Sequence, residues 1–209
     1  MTQRNKAITK KIQDTLTPEK VLQDLMDGNQ RFLNSKAITV DTKTLISQTA
    51  TAQHPKAIIL SCIDARVPVE ILFDQTIGDV FVTRIAGNFE NSDILGGMEF
   101  ACKITGSKLV LVLGHEDCGA IKAACNEVKM GNITAMLSNI TPAIEQTKKE
   151  VKLDVSHKNF IKQTAKNNVL LTIKRVREKS PILKELEEKG KIKIVGGFYK
   201  TATGKVSLL

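Results

Sequence analysis

Runs of apolar residues recur along the chain, and two of them stop at residues that can bind a metal ion. Residues 57–68 read AIILSCIDARVP, an apolar run broken only by Ser61 that reaches Cys62. Residues 108–119 read KLVLVLGHEDCG, a second run followed by His115 and Cys118. Short runs of this kind are typical of strands buried on both faces, with polar residues beginning where the strand ends. We therefore predict two central strands here.

The first third of the chain predicts one amphipathic helix between two less regular segments. Thr17 and Pro18 form a helix start, an N-cap followed by proline at the first helical position. Apolar residues then recur on one face, which predicts a helix from Pro18 to about Asn34. Residues 1–16 are expected to form a flexible or partner-dependent arm. Residues 35–52, rich in Thr, Ser and Lys, are expected to be a connection.

Beyond the first predicted strand, helices and strands alternate. The predicted helices cover residues 68–75, 93–105 (opened by Ser92 or Asp93), about 119–128, a segment around 133–144 interrupted near Pro142, about 156–179, and 181–188. The other predicted strands cover residues 79–85, followed by a turn at 86–88, and residues 191–199. Residues 201–209 are expected to turn at Gly204 into a last strand.

This alternation predicts an α/β fold with a mostly parallel central sheet flanked by helices. The last two strands are expected to form an antiparallel hairpin at the C-terminal edge. We divide the chain into an N-terminal arm and helix, residues 1–34, and a single α/β domain, residues 35–209.

Composition and charge narrow the function classes. The chain has 209 residues, 42% of them hydrophobic, which is ordinary for one globular domain with a sizeable core. A net charge of +9 could attract anions or nucleic acid. The lysines are spread along the chain, however, and the densest set, Lys158, Lys162 and Lys166, recurs every four residues as one exposed helix face would. We therefore favour an ordinary solvated surface.

The sequence lacks the features typical of single-stranded nucleic-acid-binding, membrane-spanning and secreted proteins. The chain has no Trp and one Tyr, so aromatic platforms for single-stranded nucleic acid are not expected. No apolar run approaches the roughly 20 residues of a membrane span. The N-terminus is basic but lacks the apolar core of a secretory signal, so we expect a cytoplasmic protein without a nucleic-acid or membrane partner.

The four cysteines differ in their surroundings. In a cytoplasmic chain, cysteines suggest metal binding or catalysis before disulfides. Cys102 and Cys125 lie in helix-like segments and are expected to be small buried hydrophobic residues. Cys62 and Cys118 instead follow the two predicted strands.

Residues at the carboxyl ends of neighbouring strands in an α/β sheet are brought together. Two adjacent strands would thus gather Cys62, His115 and Cys118. The pair His-x-x-Cys is a weak signal alone, and Cys62 at the same topological position strengthens it. Two thiolates and an imidazole are a zinc donor set, and three protein ligands leave a fourth position for chemistry.

Asp64 and Arg66 follow Cys62 at alternate positions, so all three can face one cavity in an extended chain. An ordinary surface ion pair is one interpretation. Alternatively, Asp64 accepts a hydrogen bond from water on the zinc while Arg66 holds the carboxylate. In a third interpretation, Asp64 is itself the fourth ligand in a closed form of the site.

The sequences CIDARVP and LGHEDCGA resemble the motifs of β-class carbonic anhydrases. The similarity extends from about Thr17 to the C-terminus and is densest between Gln53 and Ala124. The resemblance implies a Zn2+ ion on Cys62, His115 and Cys118, with Asp64 and Arg66 as a catalytic dyad. Residues 35–209 would then be the zinc-binding catalytic domain.

The implied activity is the reversible hydration of CO2 to bicarbonate and a proton by hydroxide on the zinc. Hydrolysis of a CO2 analogue such as carbon disulfide on the same site is the alternative. The resemblance also implies self-association as a dimer or tetramer, with Phe100 where some members donate a tyrosine across the dimer. The expected substrate pocket comprises Gln53, Phe81, Ala86, Phe100 and Gly119.

Some bacterial members of this family hold inhibitory bicarbonate with a Trp, Arg and Tyr trio. Arg84 matches the arginine, but Ile59 stands where the tryptophan would be, so this inhibition is not expected here.

Functions of other classes are less well supported. A closed structural zinc site usually supplies four Cys or His ligands, and only three fall in place. A thiol redox protein would be expected to carry C-x-x-C, which the sequence lacks. A nucleic-acid-binding function would rest on charge alone.

Overall fold

The computed structural model describes residues 3–4 and 6–209, with side chains from residue 6 onward. The strands are β1 (Gln3–Arg4), β2 (Thr39–Val40), β3 (Ala57–Ser61), β4 (Val80–Arg84), β5 (Leu109–His115), β6 (Lys193–Tyr199) and β7 (Val206–Leu208). The helices are α1 (Lys10–Thr15), α2 (Pro18–Leu33), α3 (Thr42–Thr49), α4 (Val69–Leu72), α5 (Ser92–Glu99), α6 (Gly119–Cys125), α7 (Gly131–Ser138), α8 (Thr141–Glu150), α9 (Lys158–Lys179) and α10 (Pro181–Glu188), and a π-helical turn, Phe100–Ile104, extends α5.

A five-stranded sheet in the order β4-β3-β5-β6-β7 forms the centre of the molecule. Its first four strands are parallel, and β7 pairs with β6 in the antiparallel direction. Ser61 pairs with Arg84 on one side and with Leu113 on the other, so the carboxyl ends of β3, β4 and β5 lie side by side. This arrangement confirms the predicted α/β fold and its antiparallel C-terminal edge.

Helices cover both faces of the sheet. On one face, Ile58 and Val110 pack against apolar residues of α5, α9 and α10. On the other, Ile59 and Leu111 pack against residues of α2 and α4. Successive strand residues point to opposite faces, so β3 and β5 are apolar throughout because both faces are buried. Among the described residues, no helix combines the length and apolar character needed to cross a membrane.

The segments before β3 are more ordered than predicted. Residues 6–16 do not form a flexible arm: Ala7 and Ile8 are buried, and the fully buried Gln13 donates from Nε2 to the Pro55 carbonyl at 2.9 Å. Residues 1, 2 and 5 lie outside the described part. The predicted connection, residues 35–52, contains β2 and α3, which Asp41 caps by accepting a hydrogen bond from the Thr44 amide. The division of the chain after residue 34 stays a prediction.

Other boundaries shift by a few residues. The helix expected over 93–105 is capped by Asn91, and its last part is the π-helical turn. The predicted interruption near Pro142 is confirmed, since α7 ends at Ser138 and α8 begins at Thr141. The last strand, expected after the turn at Gly204, begins at Val206.

Candidate metal centre and active site

Cys62, His115 and Cys118 come together at the carboxyl edge of the sheet. Cys62 directly follows β3, His115 is the last residue of β5, and Cys118 is the N-cap residue of α6. One ligand atom from each lies within 4.8 Å of the others, and the two sulfur atoms are 3.8 Å apart. All three residues are buried.

The ring of His115 is oriented for binding a cation. Its Nδ1 lies 2.8 Å from the Glu116 carbonyl oxygen, which can only accept, so Nδ1 carries the proton. The lone pair is then on Nε2, which is buried and has no hydrogen-bond partner among the described residues. A buried acceptor without a partner is costly unless something binds it. Beside two thiol sulfurs, this nitrogen fits a zinc ion.

The hydrogen bond between the two thiol sulfurs shifts their pKa values in opposite directions. The hydrogen bond from Cys118 lowers the pKa of Cys62 to about 4, and the Gly87 N–H, 3.4 Å from the Cys62 sulfur, contributes in the same direction. The same bond and burial raise the pKa of Cys118, although the N–H groups of Ile121 and Ala120 at the start of α6 oppose this. One thiolate is therefore already favoured before a metal ion binds.

Asp64 and Arg66 form a bidentate pair at the rim of the cluster. Arg66 Nε donates to Asp64 Oδ1 at 2.9 Å and Nη2 to Oδ2 at 2.8 Å. Nη2 also donates to the Asp117 carbonyl at 3.1 Å, which anchors the guanidinium. These bonds hold the pKa of Asp64 well below its usual range. Asp64 is therefore an acceptor-only carboxylate at neutral pH.

Arg84 has a role that the sequence did not reveal. Its Nε donates to the Cys62 carbonyl at 2.9 Å and its Nη2 to the Asp64 carbonyl at 2.6 Å. The guanidinium thus fixes the backbone of the segment that carries both residues. Ile59 is fully buried in the sheet. The one sequence signal for this contact is that Arg84, a charged residue, ends the strand next to β3.

The expected pocket residues are not all near the cluster. Ala86 precedes Gly87, which contacts Cys62, and Gly119 follows Cys118 with open space where a side chain would project. Phe81 and Phe100 contact each other edge to face, with ring centroids 6.5 Å apart. Gln53 precedes β3, at the sheet edge opposite Cys62, and lines a separate cavity of about 480 Å³.

A second cavity of about 660 Å³ borders the dyad. It is lined by Arg66, Lys122, Lys158 and Lys162, together with acidic residues and the start of α9. Lys162 is not simply solvated, because its Nζ lies 2.6 Å from Glu116 Oε1. Its side chain is nevertheless 41% exposed, so Lys162 is an accessible residue of this helix face that is also paired.

Cys102 and Cys125 are buried free thiols that do not join the group of three ligand atoms. Burial raises the pKa of Cys102 to about 12 and also raises that of Cys125. Both are therefore protonated at neutral pH and behave as the small apolar residues expected.

Comparisons with known proteins agree with this geometry. A family model described as carbonic anhydrase matches residues 57–206. The carbonic anhydrase of Mycolicibacterium smegmatis is 32% identical over 193 residues, covering 88% of this chain and 89% of its own. Carbonic anhydrase 2 of Mycobacterium tuberculosis is 30% identical over the same shares of both chains.

Solved structures show the same fold. The Coccomyxa β-carbonic anhydrase in complex with acetazolamide has a TM-score of 0.72 and 25% identity, covering 90% of this chain and 86% of its own. The β-carbonic anhydrase CafA of Aspergillus fumigatus has a TM-score of 0.72 and 27% identity, with 80% and 81% covered. The residues matched by the family model include β3 to β6, the cysteine and histidine cluster and the Asp64–Arg66 pair. The chain accordingly belongs to the β-class carbonic anhydrases, zinc lyases that hydrate CO2.

Proposed function

We propose that this chain performs reversible CO2 hydration at a zinc ion held by Cys62, His115 and Cys118. The unpartnered Nε2 of His115, facing two thiol sulfurs, carries this assignment. A bound zinc ion would supply Lewis acidity, which makes water acidic enough to yield hydroxide near neutral pH. The three side chains would hold the ion, and Asp64 Oδ2 lies 4.0 Å from the Nε2 of His115, beside the site.

Asp64 is the orienting acceptor in this proposal. A carboxylate has more acceptor positions than Arg66 occupies, so Asp64 can still accept a hydrogen bond from the attacking hydroxyl. This bond would turn an oxygen lone pair toward the carbon of CO2. Forming the new C–O bond would move a C=O electron pair onto oxygen and give bicarbonate. The proton of the overall reaction would be the one that water lost to solvent on becoming hydroxide. Binding of Asp64 itself to the ion would block this step.

The apolar part of the substrate pocket is assigned to Ala86 and Gly119, next to the cluster. We assign Gln53, Phe81 and Phe100 to the same pocket only through contact between copies of the chain, because Gln53 lies at the opposite sheet edge. Phe100 is 52% exposed and Ile104 is 71% exposed, which is consistent with a covered apolar surface. Two β-carbonic anhydrases from Sordaria macrospora are described as tetrameric. Their fold matches this chain with a TM-score of 0.73 at 21% identity. We propose a dimer or a dimer of dimers.

We propose the cytoplasm as the location. All four cysteines are free thiols, and a reducing compartment preserves thiol ligands. Fractionation of cells expressing the protein tests this assignment.

Zinc content measured together with stopped-flow CO2 hydration tests the proposed function. We expect about one zinc per chain and turnover that chelation abolishes. Zinc without turnover would indicate a structural site, and the absence of zinc would contradict the proposal. A parallel assay with carbon disulfide tests the alternative substrate.

A further inference from the structure

One face of α9 holds the loop that contacts Cys62. This loop, residues 85–91, joins β4 to α5. Asn168, Thr172, Arg175 and Lys179 recur on α9 at intervals of four, three and four residues, so they lie on one side of the helix.

Three residues of this face bind the loop directly. The Asn168 Nδ2 donates to the Gly87 carbonyl at 2.7 Å. Arg175 Nε lies 2.9 Å from both carboxylate oxygens of Glu90, and Lys179 Nζ lies 2.9 Å from one of them. The Glu90 side chain is only 2% exposed, and Asn168 is fully buried. Buried contacts of this kind are costly to break, so the loop is firmly placed.

The loop places a backbone donor on a cluster sulfur. The Gly87 N–H points at the Cys62 sulfur at 3.4 Å. Gly87 has a φ of +87°, and a Cβ atom there would lie 2.8 Å from Ile140 Cδ1. Glycine takes this conformation without the strain that a Cβ atom would bring.

We propose that Asn168 is a positioning residue for the metal site, which it serves by aiming the Gly87 N–H at the Cys62 sulfur. This inference rests on the proposed zinc site. An N–H donor withdraws electron density from a thiolate and fixes its orientation, and both effects tune a metal centre. The Asn168 amide holds the carbonyl of Gly87, the same residue whose N–H points at the Cys62 sulfur.

The neighbouring Asn167 provides a matched control. It is the same residue type on the same helix and is 1% exposed, but its Nδ2 donates to Thr147 Oγ1 at 2.9 Å and Glu150 Oε2 at 2.8 Å, toward α8. Replacing either asparagine removes one buried amide from α9. Of these two asparagines, Asn168 is the one that bonds to the loop beside Cys62.

The test compares Asn168→Leu with Asn167→Leu in the full chain. Zinc dissociation constants are measured by chelator competition, and the cobalt-substituted proteins are compared by the sulfur-to-cobalt charge-transfer band. For Asn168→Leu we expect about tenfold weaker zinc binding, the lower end of losses for residues that support ligands. We also expect the band at longer wavelength, because a thiolate with a weaker hydrogen bond gives up electrons more readily. Asn167→Leu should leave both unchanged.

Equal zinc affinity and identical bands in the two variants would overturn the role of Asn168, as would equal losses in both. A wild-type chain that binds no zinc would instead overturn the proposed metal site, and the inference with it. If the leucine variants do not fold, Asn168→Ser and Asn167→Ser give the same comparison with a smaller packing change.

Discussion

Arg66 holds both carboxylate oxygens of Asp64, and the nearer of these oxygens to the cluster is 4.0 Å from the free ring nitrogen of His115. The carboxylate therefore has two competing positive partners once a zinc ion is bound. The bidentate geometry with the guanidinium keeps Asp64 at the rim. Loss of that geometry should let the carboxylate move onto the metal.

Arg66→Ala tests this competition. We expect the variant to retain zinc, to lose most of its CO2 hydration activity, and to show Asp64 coordinated in the zinc-edge absorption spectrum. Asp64→Ala is the matched control, which should keep zinc and turn over poorly without a carboxylate in the metal shell. Near-normal activity of Arg66→Ala would show that the dyad is an ordinary ion pair.

Cys62→Ser should lose both zinc and activity, because a serine hydroxyl is a poor zinc ligand at neutral pH. Metal analysis after gel filtration measures the loss. Cys102→Ala is the control, since this buried thiol has a pKa of about 12 and does not join the group of three ligand atoms. We expect it to cost about 1 kcal/mol of stability and to keep the metal. Full zinc content in Cys62→Ser would contradict the ligand assignment.

The Asp64–Arg66 pair should make the metal-free protein sensitive to acid. Arg66 lowers the pKa of Asp64 in the folded state, so the unfolded carboxyl, with a pKa of about 3.9, binds a proton at higher pH. This contribution to stability is present above about pH 4 and is lost as the pH falls further. Urea unfolding between pH 3 and 6 measures it. Arg66→Ala should show a smaller loss over this range, and an unchanged slope would contradict the assignment.

Self-association should depend on the exposed surface of the π-helical turn. We expect sedimentation at micromolar concentration to give a dimer or tetramer. Phe100→Lys should shift this equilibrium toward the monomer, because association would bury the lysine charge in an apolar contact. Lys103→Ala, in the same turn, is the control. A wild-type monomer with full activity would contradict the proposed assembly.

The elements that position the cluster could be predicted because their signals are local. The apolar runs before Cys62 and His115 became β3 and β5, and Pro181 begins α10 as expected. A few consecutive residues are enough to predict where a strand ends and which residue follows it. The cluster of Cys62, His115 and Cys118 followed from that placement, and its role as a zinc donor set stays a proposal from residue chemistry.

The features that were missed depend on distant contacts. In α3 only Leu45 is buried, so the segment shows little apolar periodicity and is held by its cap and its packing. Gln13 is buried because its amide reaches Pro55, which no pattern near residue 13 reveals. The contact of Arg84 with the carbonyls of Cys62 and Asp64 likewise depends on the pairing of two strands.

The cysteines of the cluster are separated by 56 positions along the chain. An ion bound between them would close this long loop much as a covalent crosslink does, and the closure entropy would be supplied by metal binding. Because the ion binds the folded chain, unfolding would shift to higher temperature as free zinc rises, by mass action. Zinc starvation would then lower the amount of folded enzyme as well as the fraction of chains that hold zinc. The zinc supply would in this way govern the lifetime of the protein.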